Sequence, residues 1–437
     1  MKYEEYKDSG MSWIGQVPTQ WKRSRLKFLF SHSNAGVWGE EEKGDENDIA
    51  CFRVADFDYQ KGYLGFDKLT MRNITAKELE GRLLSQGSLL IEKSGGGDAT
   101  PVGRVVRFNY EDKATCSNFV HFVTVDETHN SDFLYYYFYA MYANKENLLY
   151  FNQTTGIQNL KVGEYLGQSI FVPTFEEQQA IASYLDEKCG KINGAIDVQK
   201  KKIDLLNELK QTIITNAVTK GLNPDAPMKD SGVEWIGEVP VHWDMVKIKF
   251  NFNIYAGATP KSDVDGYWDG DIIWITPADY KTIDKYVSFG QRRITKIGYN
   301  SCNTQLVPKG SLIFSKRAPI GTVAIAETEL CTNQGCLSCV PKKCSSLYYY
   351  YVTSVYTDLF DLLGSGATFK EISASDFANV KLPSPDYDEQ LAIVSGIEKK
   401  VLKIDAQISK ANRRIELLNE LKQSVITEAV TGKIKVC

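Results

Sequence analysis

The residues best suited to chemistry form few convincing sets. Cys331, Cys336, Cys339 and Cys344 are the densest group of metal-ligating side chains, and Cys336 and Cys339 have the CxxC spacing of a zinc site. The corresponding segment of the first half carries Cys116, His121, Thr124 and His129, which is not a matching ligand set. The thiols therefore read as buried or incidental. The four histidines, His32, His121, His129 and His242, have neither triad-like nor ligand-like spacing. No HExxH and no GxxxxGK[ST] phosphate loop occurs. Ser94-Gly95-Gly96-Gly97 is rich in glycine but lacks dinucleotide-binding spacing. It reads either as a loop whose backbone approaches a ligand closely or as a plain flexible hairpin.

The elements around these residues are more informative. Glu176–Thr219 occurs a second time as Asp388–Thr431, and LLNELKQ is identical in both copies (Leu205–Gln211 and Leu417–Gln423). Neither copy contains proline, and apolar residues recur at helical spacing. Ile192, Ile196, Ile203, Leu206, Ile213 and Ala217 step by three and four, and Ile404, Ile408, Ile415, Leu418, Val425 and Ala429 repeat them. That is a coiled-coil seam. Gln199 and Lys210, with Ala411 and Lys422, fill its remaining positions, and polar residues there fix register. Two long helices packed on each other are expected.

The duplication extends further. Lys7–Phe28 (KDSGMSWIGQVPTQWKRSRLKF) matches Lys229–Phe250 (KDSGVEWIGEVPVHWDMVKIKF). Its glycines and prolines suggest a turn-rich docking segment without regular structure. About 145 residues between this segment and each long helix diverge, with short β-rich runs broken by glycine turns, as in a compact α+β domain. Weak matches persist there: Cys116-Ser117-Asn118 with Cys331-Thr332-Asn333, and Phe133–Ala140 with Ser346–Thr353, a short helix despite its tyrosines. Pro173 and Pro383 precede the long helices, and Thr219–Ser231 is a Gly/Pro linker. The expected segments are 1–175 and 221–385 for the domains, the latter including the linker, and 176–220 and 386–437 for the helices. Pseudo-two-fold pairing would make the helices antiparallel and set the domains at opposite ends. A helix of about 43 residues rises roughly 65 Å, on the scale of one to two DNA turns.

Composition sets the outer limits. The 437 residues are 43% hydrophobic and 24% charged, ordinary for globular domains with real cores. No apolar run reaches membrane-spanning length, and the polar start MKYEEYKDSG lacks a signal-peptide core, so a cytoplasmic location is expected. The net charge of −4 speaks against a stand-alone nucleic-acid binder.

The paired WIG-x-VP-x-x-W segments (Trp13 to Trp21, Trp235 to Trp243) carry a family resemblance. So do the EQ pairs at the helix starts (Glu177-Gln178, Glu389-Gln390) and the LLNELKQ-x-x-I-T-x-AVT endings. The chain resembles the specificity subunit of a type I restriction–modification system over essentially its whole length. The resemblance implies an α+β fold with an internal pseudo-two-fold repeat. Two target-recognition domains would be separated by a coiled coil of two long antiparallel helices. It implies binding of double-stranded DNA at a split, asymmetric site and docking of two methyltransferase subunits. Recruitment of restriction subunits is a further implication of the resemblance. S-adenosylmethionine and ATP would belong to those partners, so this chain would hold no cofactor, no metal and no catalytic residue. The N/D-P-P-Y/F motif expected of an amino-methyltransferase is indeed missing: the nearest string, Asn223-Pro224-Asp225, fails and lies in the linker.

Base readout needs Arg or Lys for guanine and Asn or Gln for adenine. In the segments where the resemblance places DNA-facing loops, the candidates are Lys93, Ser94, Thr100, Arg104, Gln158 and Asn159, then Thr259, Lys261, Lys316, Arg317, Thr368 and Lys370. Lys22, Arg23, Arg25 and Lys27 form a basic cluster suited to phosphate, while Trp13, Trp21, Trp235 and Trp243 suit anchoring of the frame. Two rival readings remain: a coiled-coil scaffold presenting two protein-binding domains, and a self-sufficient nuclease or methyltransferase.

Overall fold

The computed structural model describes residues 2–436 apart from 67, 155, 281–284 and 367–369. It divides into two compact units, Met1–Lys201 with Ala411–Cys437, and Lys202–Lys410. Two long helices, Phe175–Lys220 and Tyr387–Val430, account for 46 and 44 residues. Each unit thus takes the start of one long helix and the end of the other. Among the described residues, no helix is long and apolar enough to cross a membrane.

The predicted seam is the buried stripe of both helices. Ile192, Ile196, Leu206, Ile404, Ala411 and Ala429 are buried, and Ile203, Ile213, Ile408, Ile415, Leu418 and Val425 are half-buried. Within the first unit, Lys422 Nζ donates to Asn193 Oδ1 at 3.0 Å. Within the second, Lys210 Nζ pairs with Asp405 Oδ1 at 2.7 Å. Ile181 and Leu185 share a core with Ile426, and Ile214 and Val218 share one with Ile393 and Ile397, so the helix segments of each unit run antiparallel.

In the first unit, among the described residues, six strands form the main sheet in the order Phe30–Ala35, Val120–Val125, Ser88–Glu92, Val105–Arg107, Tyr63–Leu64, Phe57–Asp58. A second sheet holds Ala114–Cys116, Asp48–Phe52, Met71–Asn73 and Glu40–Glu41. The helix Ser131–Ala143 packs its Phe133, Leu134, Tyr137 and Phe138 into the core shared with Ile181, Leu185 and Ile426 of the long helices. The second unit repeats the plan. Its main sheet orders Phe252–Ala256, Cys336–Pro341, Leu312–Ser315, Val323–Ala326, Tyr286–Val287, and its helix Ser346–Val355 shares a core with Ile214, Val218, Ile393 and Ile397.

The repeated motifs are joints between domain and helix. The Gln178 side chain accepts from Asn130 N at 2.9 Å and donates to Pro173 O at 3.1 Å. Gln390 does the same with Ser345 N at 2.8 Å and Pro385 O at 2.9 Å. Asn130 and Ser345 cap the two tyrosine-rich helices, so Phe133 corresponds to Tyr348. The match of Phe133 with Ser346 expected from sequence is therefore two residues out of step. In this register Tyr136 and Tyr351 are equivalent, and each donates to a carboxylate of its long helix, Asp186 at 2.7 Å and Glu398. Arg107 Nη1 also reaches Asp186 at 3.0 Å, and Lys285 Nζ reaches Glu398 at 2.7 Å.

The opening segment is more regular than expected. Tyr6–Asp8 pairs with Gln16–Pro18, and Met228–Asp230 with Glu238–Pro240. Gly10 and Gly15 at φ +72° and +73° let the chain reverse, closed by Ser9 N to Gly15 O at 2.8 Å. Trp21 and Trp243 are buried, and the Trp21 indole donates to Glu177 of the EQ pair at 3.2 Å. Trp13 rests on Tyr137, whereas Trp235 stands 49% exposed.

Candidate nucleic-acid interface

Six of the sequence candidates meet at one corner of the first unit. Strand Ser88–Glu92 runs through Lys93 into Ser94–Gly95, which pairs with Ile157–Leu160 so that Ser94 faces Asn159 and Gly95 faces Gln158. The Ser94 hydroxyl donates to Asn159 Oδ1 at 2.7 Å. Gly96 sits at φ +62°, where a Cβ would stand 2.9 Å from Val102 N. Gly97 and Thr100 exchange two backbone bonds of 3.1 Å, closing a tight hairpin whose Thr100 is exposed. The glycine run is therefore a hairpin tip, and the close approach at Gly96 is to the chain's own Val102.

Two of the six are committed inside the protein. Arg104 Nε lies 2.9 Å from Glu92 Oε2, Nη2 lies 3.3 Å from Oε1, and the guanidinium covers the Tyr59 ring at 3.7 Å. Glu92 is buried, so this arginine neutralises an interior carboxylate. Gln158 is buried too, and its Oε1 accepts from Val102 N at 3.2 Å. Lys93 makes no side-chain bond among the described residues. It depresses the partly buried His121, whose pKa is lowered to about 4, first by desolvation and then by Lys93 and His32.

In the second unit, Lys316 and Arg317 follow strand Leu312–Ser315 and share Glu371, at 3.4 Å and 2.8 Å. The Arg317 hydrogen bond is the main reason that the Glu371 carboxyl is held below its ordinary range. Lys370 pairs with Asp361 at 2.6 Å. Thr259 is exposed and donates to the Gln334 side chain. Lys261 is exposed, and its carbonyl accepts from the Trp268 indole at 3.1 Å. Thr368 lies outside the described residues.

Sequence reasoning passed over the residues beside the first corner. A cavity of about 450 Å³ opens next to Ser94–Gly96, with Trp38, Arg53, Asn118 and Phe119 on its wall. Trp38 and Phe119 are 37% and 47% exposed. They come from chain segments far apart, and no motif or period marks either.

The clustered cysteines are core residues. Cys331, Cys336, Cys339 and Cys344 are buried, and burial pushes the Cys331, Cys336 and Cys344 thiols up to about 12. Among the described residues no group of three His, Cys, Asp or Glu could hold a metal ion.

Two α+β units of one plan, each seated on antiparallel helix segments and each carrying a polar corner, define a chain built by internal duplication. The chain belongs to the type I restriction modification DNA specificity domain family, whose model matches residues 18–211 and 240–418. It is 35% identical over 190 residues to the type I restriction enzyme MjaIX specificity subunit of Methanocaldococcus jannaschii, covering 43% of each chain. It is 28% identical over 269 residues to the putative MjaX specificity subunit of that organism, covering 61% of this chain and 59% of the relative. These matches thus span less than two thirds of either relative's length. Among solved structures, a chain from work on complex assembly and conformational transition of the type I R-M system has a TM-score of 0.73 at 17% identity, covering 96% of this chain and 99% of that one. The HsdS subunit from Thermoanaerobacter tengcongensis has a TM-score of 0.53 at 16% identity, covering 96% and 98%. At such identities the structural likeness speaks for the fold.

Proposed function

We propose that the chain is the DNA sequence-recognition subunit of a type I restriction–modification complex and has no catalytic role of its own. Segments 1–175 and 221–385 act as target-recognition domains, each reading one part of a split, asymmetric site. Segments 176–220 and 386–437 act as spacer helices. The carrying observation is the contrast between identical joints and different corners. Gln178 and Gln390 make the same pair of bonds, while the loops beyond them carry different side chains. A shared frame with divergent tips suits one assembly reading two different words.

The polar residues at those tips, Lys93, Ser94, Thr100 and Asn159 in the first unit and Thr259, Lys261, Lys316, Arg317 and Lys370 in the second, are proposed to face DNA. Adenine methylation, and any cleavage, fall to partner subunits, in the cytoplasm where the DNA lies. Two methyltransferase subunits are proposed to dock on the helices. Leu205 and Leu209 are 64% and 48% exposed, and their repeat counterparts Leu417 and Leu421 are 47% and 49% exposed. Leucines left out of the core at the same two places in both copies suit two copies of one partner.

Purified with its methyltransferase, the chain should direct adenine methylation to a bipartite site. Exchange of residues 29–172 for the insert of another family member should change one half of that site and leave the other. Methylation without sequence preference, or an exchange that leaves the whole site unchanged, refutes the reading.

A further inference from the structure

The two units can be aligned by backbone bonds instead of by sequence. Gly36 N donates to Val120 O at 3.1 Å, and Gly257 N to Cys336 O at 3.2 Å. Val37 N reaches Cys116 O at 2.8 Å, and Ala258 N reaches Thr332 O at 3.0 Å. Ser117 N reaches Phe52 O at 2.8 Å, and Asn333 N reaches Ile275 O at 2.9 Å. Lys93 N reaches Phe119 O at 2.9 Å, and Lys316 N reaches Gly335 O at 2.9 Å. Gly36 and Gly257 are fixed by the same crowding, since a Cβ on either would lie 2.0 Å from a carbonyl oxygen of the facing loop. Cys116 thus corresponds to Thr332, one residue away from the sequence match with Cys331.

At this corner the backbone is the same and the side chains are not. Trp38 corresponds to Thr259, Asn118 to Gln334, and Phe119 to Gly335, while lysine is kept at 93 and 316. Asn118, Thr259 and Gln334 are exposed, so packing does not dictate them, whereas Trp38 carries the Arg72 guanidinium 4.5 Å from its ring and a Cβ on buried Gly335 would stand 3.1 Å from Asn333 Oδ1 and 3.2 Å from Pro277 Cγ. The Asn118 carboxamide has no partner among the described residues, and Gln334 accepts from Thr259 with its amide nitrogen unpaired among them. On a duplex, phosphates are the same under both units and base edges differ.

We propose that this corner selects the bases of each half-site. Asn118 in the first unit and Gln334 in the second read a base edge through their carboxamides. Trp38 and Phe119 supply an apolar wall to the first word only, and Lys93 and Lys316 hold the phosphate chain. A carboxamide offers the donor and acceptor that adenine presents in the major groove. An aromatic wall favours the thymine methyl group over a polar edge. Lys316 is shared with Glu371, so its grip on phosphate is weaker than that of Lys93. The assignment rests on the DNA-recognition reading and deepens it to named residues.

The test selects bound duplexes from a randomised DNA library, using the full chain with its methyltransferase partner. Asn118→Asp and Gln334→Glu keep shape but remove the donor and add a carboxylate, which suits cytosine. Each is expected to lower the preference for adenine about tenfold or more at one position of one half-site. Asn118→Ser adds no charge and should relax that same position. Lys93→Ala should weaken binding alike for all sequences and reduce the salt slope by about one. The proposal is overturned if the Asn118 and Gln334 variants leave both words unchanged, alter both words at once, or lower affinity uniformly. It also falls if Asn118→Ser leaves its position as selective as before. A wild-type complex that selects no bipartite word defeats the recognition reading itself, a separate result.

Discussion

Lys422 donates to Asn193 across the first unit's helix pair at 3.0 Å, and its repeat counterpart Lys210 meets Asp405, the counterpart of Asn193, at 2.7 Å. The two copies share the lysine and differ in its partner, an amide in the first unit and a carboxylate in the second. Lys422 is buried, also donates to Gln60 O at 3.1 Å, and burial holds its pKa below the ordinary lysine range. Asn193→Asp charges the pair but gives up the bond that Asn193 Nδ2 donates to Gln60 O at 3.1 Å and turns a carboxylate oxygen towards that carbonyl, so the first unit should lose about 1 kcal/mol. Denaturant unfolding checks this. A gain in stability would show that the charged pair outweighs the bond lost to Gln60.

Arg104 should matter for folding before it matters for DNA. Its removal leaves Glu92 buried with, among the described residues, only the Tyr59 hydroxyl at 3.3 Å in place of the guanidinium. Breaking such a pair costs about 3 kcal/mol or more. Arg104→Ala should therefore unfold the first unit earlier, and adding Glu92→Gln should return much of the loss. Lys93→Ala should change stability by less than about 0.5 kcal/mol while weakening DNA binding. A stable, weakly binding Arg104→Ala protein would instead place this arginine on the ligand.

Stability should fall in mild acid because of His121. Its folded pKa of about 4 lies below the ordinary 6.5, so the unfolded chain takes up a proton first as pH drops. The associated stability is present above about pH 6.5 and is lost as pH falls towards 4. A shift of this size is worth about 3 kcal/mol at most. His121→Gln can keep a hydrogen bond to Ser33, now 2.8 Å from the ring, and should flatten that part of the profile. Parallel acid profiles for wild type and variant between pH 7 and 4.5 would rule the histidine out.

The long helices were legible because a seam repeats locally and twice, and nothing in Glu176–Thr219 competes with it. The tie between Gln178 and the cap of the tyrosine helix was not, since it joins residues 48 positions apart. The halves also drifted by insertion and deletion, which misled matching by residue type. Tyrosine runs align two residues out of step, and Cys116 faces the place of Thr332, not Cys331. Polar type suggested the corner but not its internal bookings: Arg104 and Gln158 look like readers in sequence, and their partners, Glu92 and Val102, appear only in three dimensions.

The exposed leucines of LLNELKQ offer a test of partner number. Leu205 and Leu209 lie on the helix surface of one unit and Leu417 and Leu421 on that of the other. Surface changes of this kind shift stability by less than about 0.5 kcal/mol, so a loss of binding would report the interface and not the fold. Leu417→Glu with Leu421→Glu should remove one methyltransferase copy from the complex, and Leu205→Glu with Leu209→Glu the other. The four together should remove both. Sedimentation or native mass spectrometry counts the copies. Two copies retained by the fourfold variant would put the docking surface elsewhere. Loss of both copies from either pair alone would mean that the partners bind as a unit and not at two independent places.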